Sequence, residues 1–206
     1  MMRATPESPR MFESNLLDFF SRIPWPVVPI MYVPVSSGLL YLAFVQDLGL
    51  GMMAVMAAAG FVWWTLTEYW LHRSLFHWIP KTSWGPKMHF ILHGVHHDLF
   101  NDRLRLVMPP AASLGLAAVF IVAYYGMGQA LSFWLNPAWV WAFFAGKIIG
   151  YMNYDLAHYY IHHGRPKLGM YKKLRAHHNA HHHNPKYKDR KFGVSFTIWD
   201  HVFRTY

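Results

Sequence analysis

Four long apolar stretches alternate with polar, histidine-rich segments along the chain. Each stretch has the length of a helix that crosses a lipid bilayer, about 20 residues. Buried core helices of a soluble protein are the alternative, but a domain of 206 residues rarely contains four such stretches. The pattern therefore predicts an all-α integral membrane protein with about four transmembrane helices, at 27–46, 50–71, 109–128 and 137–157.

The composition agrees with a membrane protein. Hydrophobic residues make up 54% of the chain and charged residues 14%, whereas charged residues are about 25% of a typical soluble domain. The chain has no cysteine, which excludes disulfides, iron–sulfur clusters and thiolate metal sites. Its first 25 residues are polar, carry charges of both signs and contain several prolines, so we expect no cleavable signal peptide.

The positions of the lysines and arginines predict how the helices are oriented. These residues lie before the first predicted span, between the second and third, and after the fourth, whereas the two short connecting loops have none. This distribution follows the positive-inside rule and places both termini, the central segment and every histidine cluster in the cytoplasm. The net charge of +9 then indicates contact with lipid headgroups rather than binding to nucleic acid. Lys147 alone falls within a predicted span, where a charge is costly unless it is paired or reaches the interface.

We expect one domain over residues 1–206, with no repeat or linker that divides it. After a short N-terminal segment, a transmembrane hairpin followed by a cytoplasmic histidine segment occurs twice. The two histidine segments are expected to form a helical dimetal domain that caps the transmembrane helices. The predicted boundaries are 1–26 for the N-terminal segment, 27–71 and 109–157 for the hairpins, and 72–108 and 158–206 for the histidine segments.

The spacing of the histidines predicts metal binding. The chain has 15 histidines, and His93, His96 and His97 stand at positions i, i+3 and i+4. The same offset recurs at His178, His181 and His182. On a helix each set would project from one face and bridge one metal ion. Solvated histidines at helix ends are the alternative for any single cluster, and an affinity tag is excluded because the runs are internal and interrupted. The histidines at matched spacing outnumber the ligands of one ion, so the pattern predicts two ions.

The ligand type restricts the chemistry. Imidazoles suit zinc, copper, iron and nickel. Two adjacent metals with open coordination positions can activate dioxygen or hold a hydrolytic water, and the residues alone leave both open. The setting beside predicted membrane helices favours oxidation, because an unactivated C–H bond of an acyl chain requires a redox metal. From other classes, a zinc-dependent membrane hydrolase and a zinc- or nickel-binding protein or transporter are alternatives, although a transporter would place its ligands near mid-bilayer.

Several long motifs make the chain resemble the fatty acid hydroxylase superfamily of membrane di-iron oxygenases, and within it the fatty acid 2-hydroxylases. The resemblance covers roughly residues 60–206, with the motifs in the family's order. They are EYWLHRSLFH (68–77), HFILHGVHHD (89–98), RLVMPP (105–110), GYMNYDLAHYYIHHG (150–164), HHNAHHH (177–183) and KFGVSFTIWDHVFRTY (191–206).

The resemblance implies ten histidine ligands for two iron ions, with dioxygen as co-substrate and zinc as an alternative occupant of the purified protein. The ligands are His72, His77, His93, His96, His97, His158, His162, His178, His181 and His182. Four further residues are expected to support the ligands by hydrogen bonds: Glu68, His89, Asp155 and His177. For the two carboxylates, pairing with a nearby lysine or arginine at the interface is the alternative. The expected surface histidines are His163, His183 and His201.

The resemblance and the expected position of the metals near headgroup depth both predict hydroxylation of an acyl chain at its 2 position, in lipid or sphingolipid biosynthesis. The yeast sphingolipid hydroxylase of this family carries a fused haem domain, for which this chain has no room. We therefore expect a separate electron donor: a ferredoxin, a cytochrome or a reductase. A sterol or carotenoid hydroxylase of the same superfamily is the nearest alternative. The expected location is a bacterial inner membrane, or the endoplasmic reticulum in a eukaryote, and the sequence assigns no oligomeric state.

Overall fold

The computed structural model describes residues 5–130 and 136–206, and within these residues the chain is helical without any β-strand. The helices are α1 (Asn15–Phe20), α2 (Val27–Val45), α3 (Leu50–Trp70), α4 (Gly85–His89), α5 (Val95–Asp98), α6 (Pro110–Ala130), α7 (Pro137–His163), α8 (Gly169–His183) and α9 (Ile198–Val202). Two π-helical turns, Leu71–Phe76 and Phe90–Gly94, follow α3 and α4, and a short 3₁₀ turn covers Pro185–Tyr187.

The four predicted apolar stretches form α2, α3, α6 and α7, which confirms the all-helical fold class. Two described helices have the length and hydropathy of a membrane span, Val27–Val45 and Leu50–Phe76, and Ala112–Met127 is a shorter apolar helix. The number of crossings therefore stays a prediction. The last of the four helices runs six residues beyond its predicted end at 157, which places His158 and His162 on its final turns.

The chain divides into two compact units. The first, called here the histidine unit, comprises the described part of Met1–Trp25 together with Thr65–Val107 and Tyr154–Tyr206. The second, called the apolar unit, comprises Pro26–Trp64 and the described part of Met108–Asn153.

The apolar unit exposes large hydrophobic side chains. Among those of α2 and α3, Ile30 is 70% exposed and Val55 is 60% exposed. Soluble monomers rarely display such side chains over whole helices, whereas lipid contact accounts for them. The two long helices α3 and α7 approach closely within this unit, because a side chain on Gly146 would collide with the carbonyl oxygen of Ala57. Small residues at helix contacts are typical of membrane proteins.

Lys147 is buried in the apolar unit among aromatic side chains. It is 2% exposed, and its Nζ donates a hydrogen bond to the Tyr124 hydroxyl at 3.1 Å. The same Nζ lies 3.2 Å from the ring centroid of Phe120. The charge of Lys147 is therefore covered by protein side chains. It also lines a pocket of mostly apolar side chains, which includes the hydrogen-bonded pair Tyr32 and Ser113.

A buried ion-pair network in the histidine unit attaches the N-terminal segment to the loop after α5. The Asp18 carboxylate pairs with Arg22 at 2.5 Å and with Arg105 at 3.4 Å. Arg105 also pairs with Asp102 at 3.1 Å. A backbone bond from the Ile23 N–H to a loop carbonyl, 2.6 Å long, reinforces the attachment.

Candidate metal centre

All ten predicted ligand histidines lie in the histidine unit, where they form two groups of five. Within each group, one ring nitrogen per histidine lies within 4.8 Å of the others. Group 1 consists of His72, His77, His93, His97 and His181. Group 2 consists of His96, His158, His162, His178 and His182. Each group therefore offers enough nitrogen donors, at short enough range, to hold one metal ion.

A π-helical turn brings His72 and His77 to the same group. In an α-helix, residues five apart point about 140° away from each other, so this spacing would separate them. The turn Leu71–Phe76 is π-helical instead, and the His77 N–H donates to the His72 carbonyl at 3.3 Å. A π-helical turn places residues i and i+5 one above the other, and such turns are frequent at functional sites.

The histidine triplets are divided between the groups, so the expectation that each triplet bridges one ion is wrong. On α8, His178 and His182 belong to group 2, whereas His181 belongs to group 1. The reason is helix geometry: residues i and i+4 point in similar directions, but i+3 and i+4 differ by about 100°. The other triplet divides in the same way, with His93 and His97 in group 1 and His96 in group 2.

The spacing of the Nε2 atoms matches that of ligands around one metal. In group 1 the Nε2–Nε2 distances are 3.2 Å for His72–His77, 3.1 Å for His72–His93, 3.0 Å for His77–His181 and 2.9 Å for His93–His97. Metal–imidazole bonds of about 2.1 Å at right angles separate two nitrogens by about 3.0 Å. In group 2 the distances are 2.9 Å for His158–His178 and 3.0 Å for His178–His182.

The protonation state of two group 1 ligands follows from the ring nitrogen that faces away from the group, called here the outer nitrogen. The His72 Nδ1 lies 2.6 Å from the Phe192 carbonyl oxygen, and the His181 Nδ1 lies 2.7 Å from that of Arg190. A carbonyl oxygen only accepts, so each Nδ1 carries the proton and each Nε2 presents a lone pair. Both lone pairs lie close to the Nε2 of His77 inside the group. The His77 Nε2 could donate a proton to only one of them, whereas a cation can accept all three nitrogens, so the residues fit a metal ion.

Burial keeps the imidazoles uncharged. Burial, followed by the nearby imidazoles, lowers the pKa of His77 and of His97 to about 3. Burial also lowers the pKa of His162 in group 2 to about 3. A neutral imidazole is the form that binds a metal, so both groups are ready to bind one at neutral pH.

We predict that acid releases the metals and destabilises the metal-free protein. An unfolded histidine has a pKa near 6.5, so between about pH 6.5 and pH 3 the unfolded chain binds protons that the folded groups do not. The free energy of unfolding therefore falls as the pH falls through this window, and protons displace the metals over the same range. Metal content after dialysis from pH 7.5 to 4.5, with the melting temperature of the metal-free protein, measures both effects. Unchanged metal content and melting temperature down to pH 4.5 would contradict the prediction.

The two groups are direct neighbours. The His97 ring of group 1 stacks on the His182 ring of group 2, with centroids 4.2 Å apart and planes inclined by 25°. The His96 ring of group 2 lies 5.6 Å from the His93 ring of group 1. Two metals held by these groups would therefore lie close to each other.

The predicted supporting residues have varied surroundings. The Glu68 Oε1 accepts two backbone N–H groups, those of Val194 and Ser195, both at 2.8 Å, rather than an imidazole N–H. Asp155 is 1% exposed, and His89 is half-buried outside both groups. Whether Glu68, Asp155 and His89 orient ligands stays a prediction. The expected surface histidines include two exposed ones, His183 and His201, and the half-buried His163.

His177 contacts a residue that the sequence analysis did not identify. Its Nε2 lies 3.1 Å from the carboxylate of Asp200, which is fully buried. Asp200 lies near the C-terminus, 23 residues from His177, and no spacing pattern in the sequence connects the two.

An all-helical chain with apolar helices and two adjacent groups of five histidines has the features of a membrane-bound metal-dependent oxygenase. The model of the family described as "Fatty acid hydroxylase" matches residues 57–205, and the chain belongs to this family. It is therefore an oxidoreductase, and the predicted family and enzyme class are confirmed.

Named relatives span most of the chain. It is 37% identical to the dihydroceramide fatty acyl 2-hydroxylase FAH2 of Arabidopsis thaliana, over 97% of this chain and 80% of the relative. It is 35% identical to the fatty acid 2-hydroxylase of Rattus norvegicus, over 95% of this chain and 56% of the relative. A solved structure titled "Full length scs7p (only hydroxylase domain visible)" is similar in fold, with a TM-score of 0.85 and 34% identity, over 97% of this chain and 72% of that one.

Proposed function

We propose that this protein hydroxylates an acyl chain at its 2 position, next to the carbonyl carbon, in the synthesis of membrane lipids or sphingolipids. The observation that carries the proposal is the pair of adjacent five-histidine groups in a chain of this family. The relatives are named as fatty acid and dihydroceramide fatty acyl 2-hydroxylases, which favours an acyl substrate over a sterol or a carotenoid. Membership of a hydroxylase family also disfavours a metal transporter or a zinc hydrolase.

The ten histidines would hold two iron ions, one in each group. When bound, the irons supply the activation of dioxygen that hydroxylation of an unactivated C–H bond requires. Each group would offer five imidazole nitrogens to its ion. Zinc in a purified sample would be compatible with iron in the cell, because all-imidazole sites accept both metals.

The residues of this chain orient the centre and exclude water from it. Seven of the ten ligand side chains are buried, and the carbonyls of Phe192 and Arg190 fix two rings in the tautomer that binds a metal. Burial also protects reactive species from side reactions with solvent. In the apolar unit, the pocket beside Lys147 and Phe120 offers mostly apolar side chains, which suit an acyl chain.

The proposal includes a membrane orientation and a separate electron donor. The distribution of lysine and arginine supports four crossings with both termini and the histidines in the cytoplasm, at a bacterial inner membrane or an endoplasmic reticulum. The histidine unit exposes several basic side chains, among them Lys172, Lys173 and Lys188. Such a surface attracts an acidic partner, which fits a ferredoxin, a cytochrome or a reductase.

Lipid mass spectrometry of a host that lacks 2-hydroxy lipids tests the proposal. We expect expression of the wild-type chain to add one oxygen atom to acyl chains, at carbon 2 by fragmentation. The matched control is a His178→Gln variant produced at the same level, which should add none. A hydroxyl group at another carbon, or an equal gain from the control, would contradict the proposal.

A further inference from the structure

The two histidine groups have the same number of ligands but differ in the hydrogen bonds of their outer nitrogens. In group 1, the outer nitrogens of His72 and His181 donate to the backbone carbonyls of Phe192 and Arg190. In group 2, three outer Nδ1 atoms have no hydrogen-bond partner within residues 5–130 and 136–206: those of His158, His178 and His182. Hydrogen bonds to the outer nitrogen fix the ring of a ligand and raise its basicity. The contacts therefore favour group 1 as the tighter metal site.

The carbonyls behind group 1 belong to a segment that Asp200 holds in place. The Asp200 Oδ1 accepts the Phe192 N–H at 2.9 Å and the Thr205 hydroxyl at 2.7 Å. Its Oδ2 accepts the Gly193 N–H at 2.8 Å and lies 3.1 Å from the His177 Nε2. One carboxylate thus fixes the two peptide N–H groups that flank the Phe192 carbonyl.

The backbone of this segment needs such support. Lys191 has a positive φ of 60°, a conformation that costs energy for a residue other than glycine. Its N–H donates to the Thr205 carbonyl at 2.8 Å. At Gly193 a side chain would collide with the Phe196 carbonyl oxygen and meet the Asp200 carboxylate, so only glycine allows this close approach. The segment is therefore held in an unusual conformation by contacts that converge on Asp200.

The carboxylate of Asp200 is ionised at neutral pH. Burial alone would raise its pKa, but the hydrogen bonds from His177, Thr205 and the Gly193 N–H outweigh burial and keep the pKa below its ordinary value. Hydrogen bonds to an ionised acceptor are roughly twice as strong as those between neutral groups. The position of the Phe192 carbonyl therefore depends on this single charged side chain.

We propose that Asp200 is a positioning residue for group 1: by fixing residues 191–193 it orients the Phe192 carbonyl that holds His72, and it makes group 1 bind its metal more tightly than group 2. This inference rests on the proposed function, because it takes both groups to be metal sites. Replacing a residue that supports a ligand in this way lowers metal affinity about 10- to 100-fold. The weakening is confined to group 1.

Chelator-driven metal loss from the full-length protein, loaded with Co²⁺ in detergent, tests the proposal. The wild type should lose its two ions in two phases, a slow one from group 1 and a fast one from group 2. The variants His77→Gln and His162→Gln assign the phases, since each removes a ligand from one group. In Asp200→Asn an amide nitrogen replaces an acceptor, and we expect the slow phase to accelerate about 10- to 100-fold. The fast phase should keep its rate, and the cobalt absorption bands of group 1 should change.

The outcomes separate the possible roles. Equal acceleration of both phases would show that Asp200 has a merely structural role, which contradicts the proposal. An unchanged slow phase in Asp200→Asn would overturn the proposal. Assignment of the slow phase to group 2 would overturn it as well. If Asp200→Asn does not fold, His177→Asn replaces it, and a folded His177→Asn protein with an unchanged slow phase also overturns it. Failure of the wild type to bind any metal would instead contradict the proposed function.

Discussion

We expect His93→Gln and His96→Gln each to retain one metal ion per chain instead of two. In both variants the hydroxylation rate should fall by at least about a thousandfold. The two residues lie three positions apart and are similarly buried, at 5% and 6% exposure. They belong to different groups, His93 to group 1 and His96 to group 2. Each substitution therefore weakens a different metal site, and the reaction needs both.

Metal analysis of the purified variants, together with the hydroxylation rate, measures this effect. His183→Gln is the matched control, because His183 directly follows a ligand triplet but is exposed and belongs to neither group. It should retain two metals and most of the activity. Loss of both metals from either single variant, or of the same metal from both, would contradict the division of the triplet between two sites.

The second large effect concerns stability. We expect Arg105→Met to lower the free energy of unfolding by about 3 to 5 kcal/mol, because it leaves the buried carboxylate of Asp102 without its cation. Asp18 loses one of its two arginine partners in the same variant and keeps Arg22. Thermal or denaturant unfolding in detergent measures the change.

Two comparisons make the stability test specific. Arg103→Met removes an exposed arginine two residues away and should change stability little. Adding Asp102→Asn to Arg105→Met removes the uncompensated charge and should restore part of the loss. If Arg105→Met were as stable as the wild type, the network would not hold the N-terminal segment in the way described.

The sequence was sufficient to predict the four long apolar helices and to propose a set of candidate ligands. Long apolar runs are nearly independent of tertiary context, so α2, α3, α6 and α7 lie where the pattern predicts them. The ten ligands followed from the family motifs, whose spacing is local along the chain. The end of α7 was less predictable, because its last turns carry polar histidines that the apolar pattern excludes.

The assignment of ligands to groups was not predictable from spacing. An α-helix separates residues i+3 and i+4 by about 100°, and only the positions of the other helices decide which metal each one faces. The pairing of His72 with His77 depends on a π-helical turn, for which the sequence carries no reliable signal. The sequence thus predicted the set of candidate ligands but not their assignment to the two groups.

Contacts between residues distant in sequence account for the rest. The sequence alone does not explain the charge of Lys147, because the Phe120 and Tyr124 side chains that contact it lie on a different helix. Asp200 lies within the motif of residues 191–206, which assigns it no role by itself, and its importance comes from the hydrogen bonds that it accepts from the N–H groups of Phe192 and Gly193. Such roles depend on how loops fold back, which local patterns do not encode.

The two histidine groups are proposed to hydroxylate carbon 2 of an acyl chain together, with dioxygen. The most direct test is mass spectrometry of the product that the purified, iron-loaded protein forms under isotopically labelled dioxygen, with a chemical source of electrons. We expect one labelled oxygen atom per product, on carbon 2. A hydroxyl group with oxygen from water, a labelled hydroxyl at another carbon, or no product from any acyl lipid would contradict it.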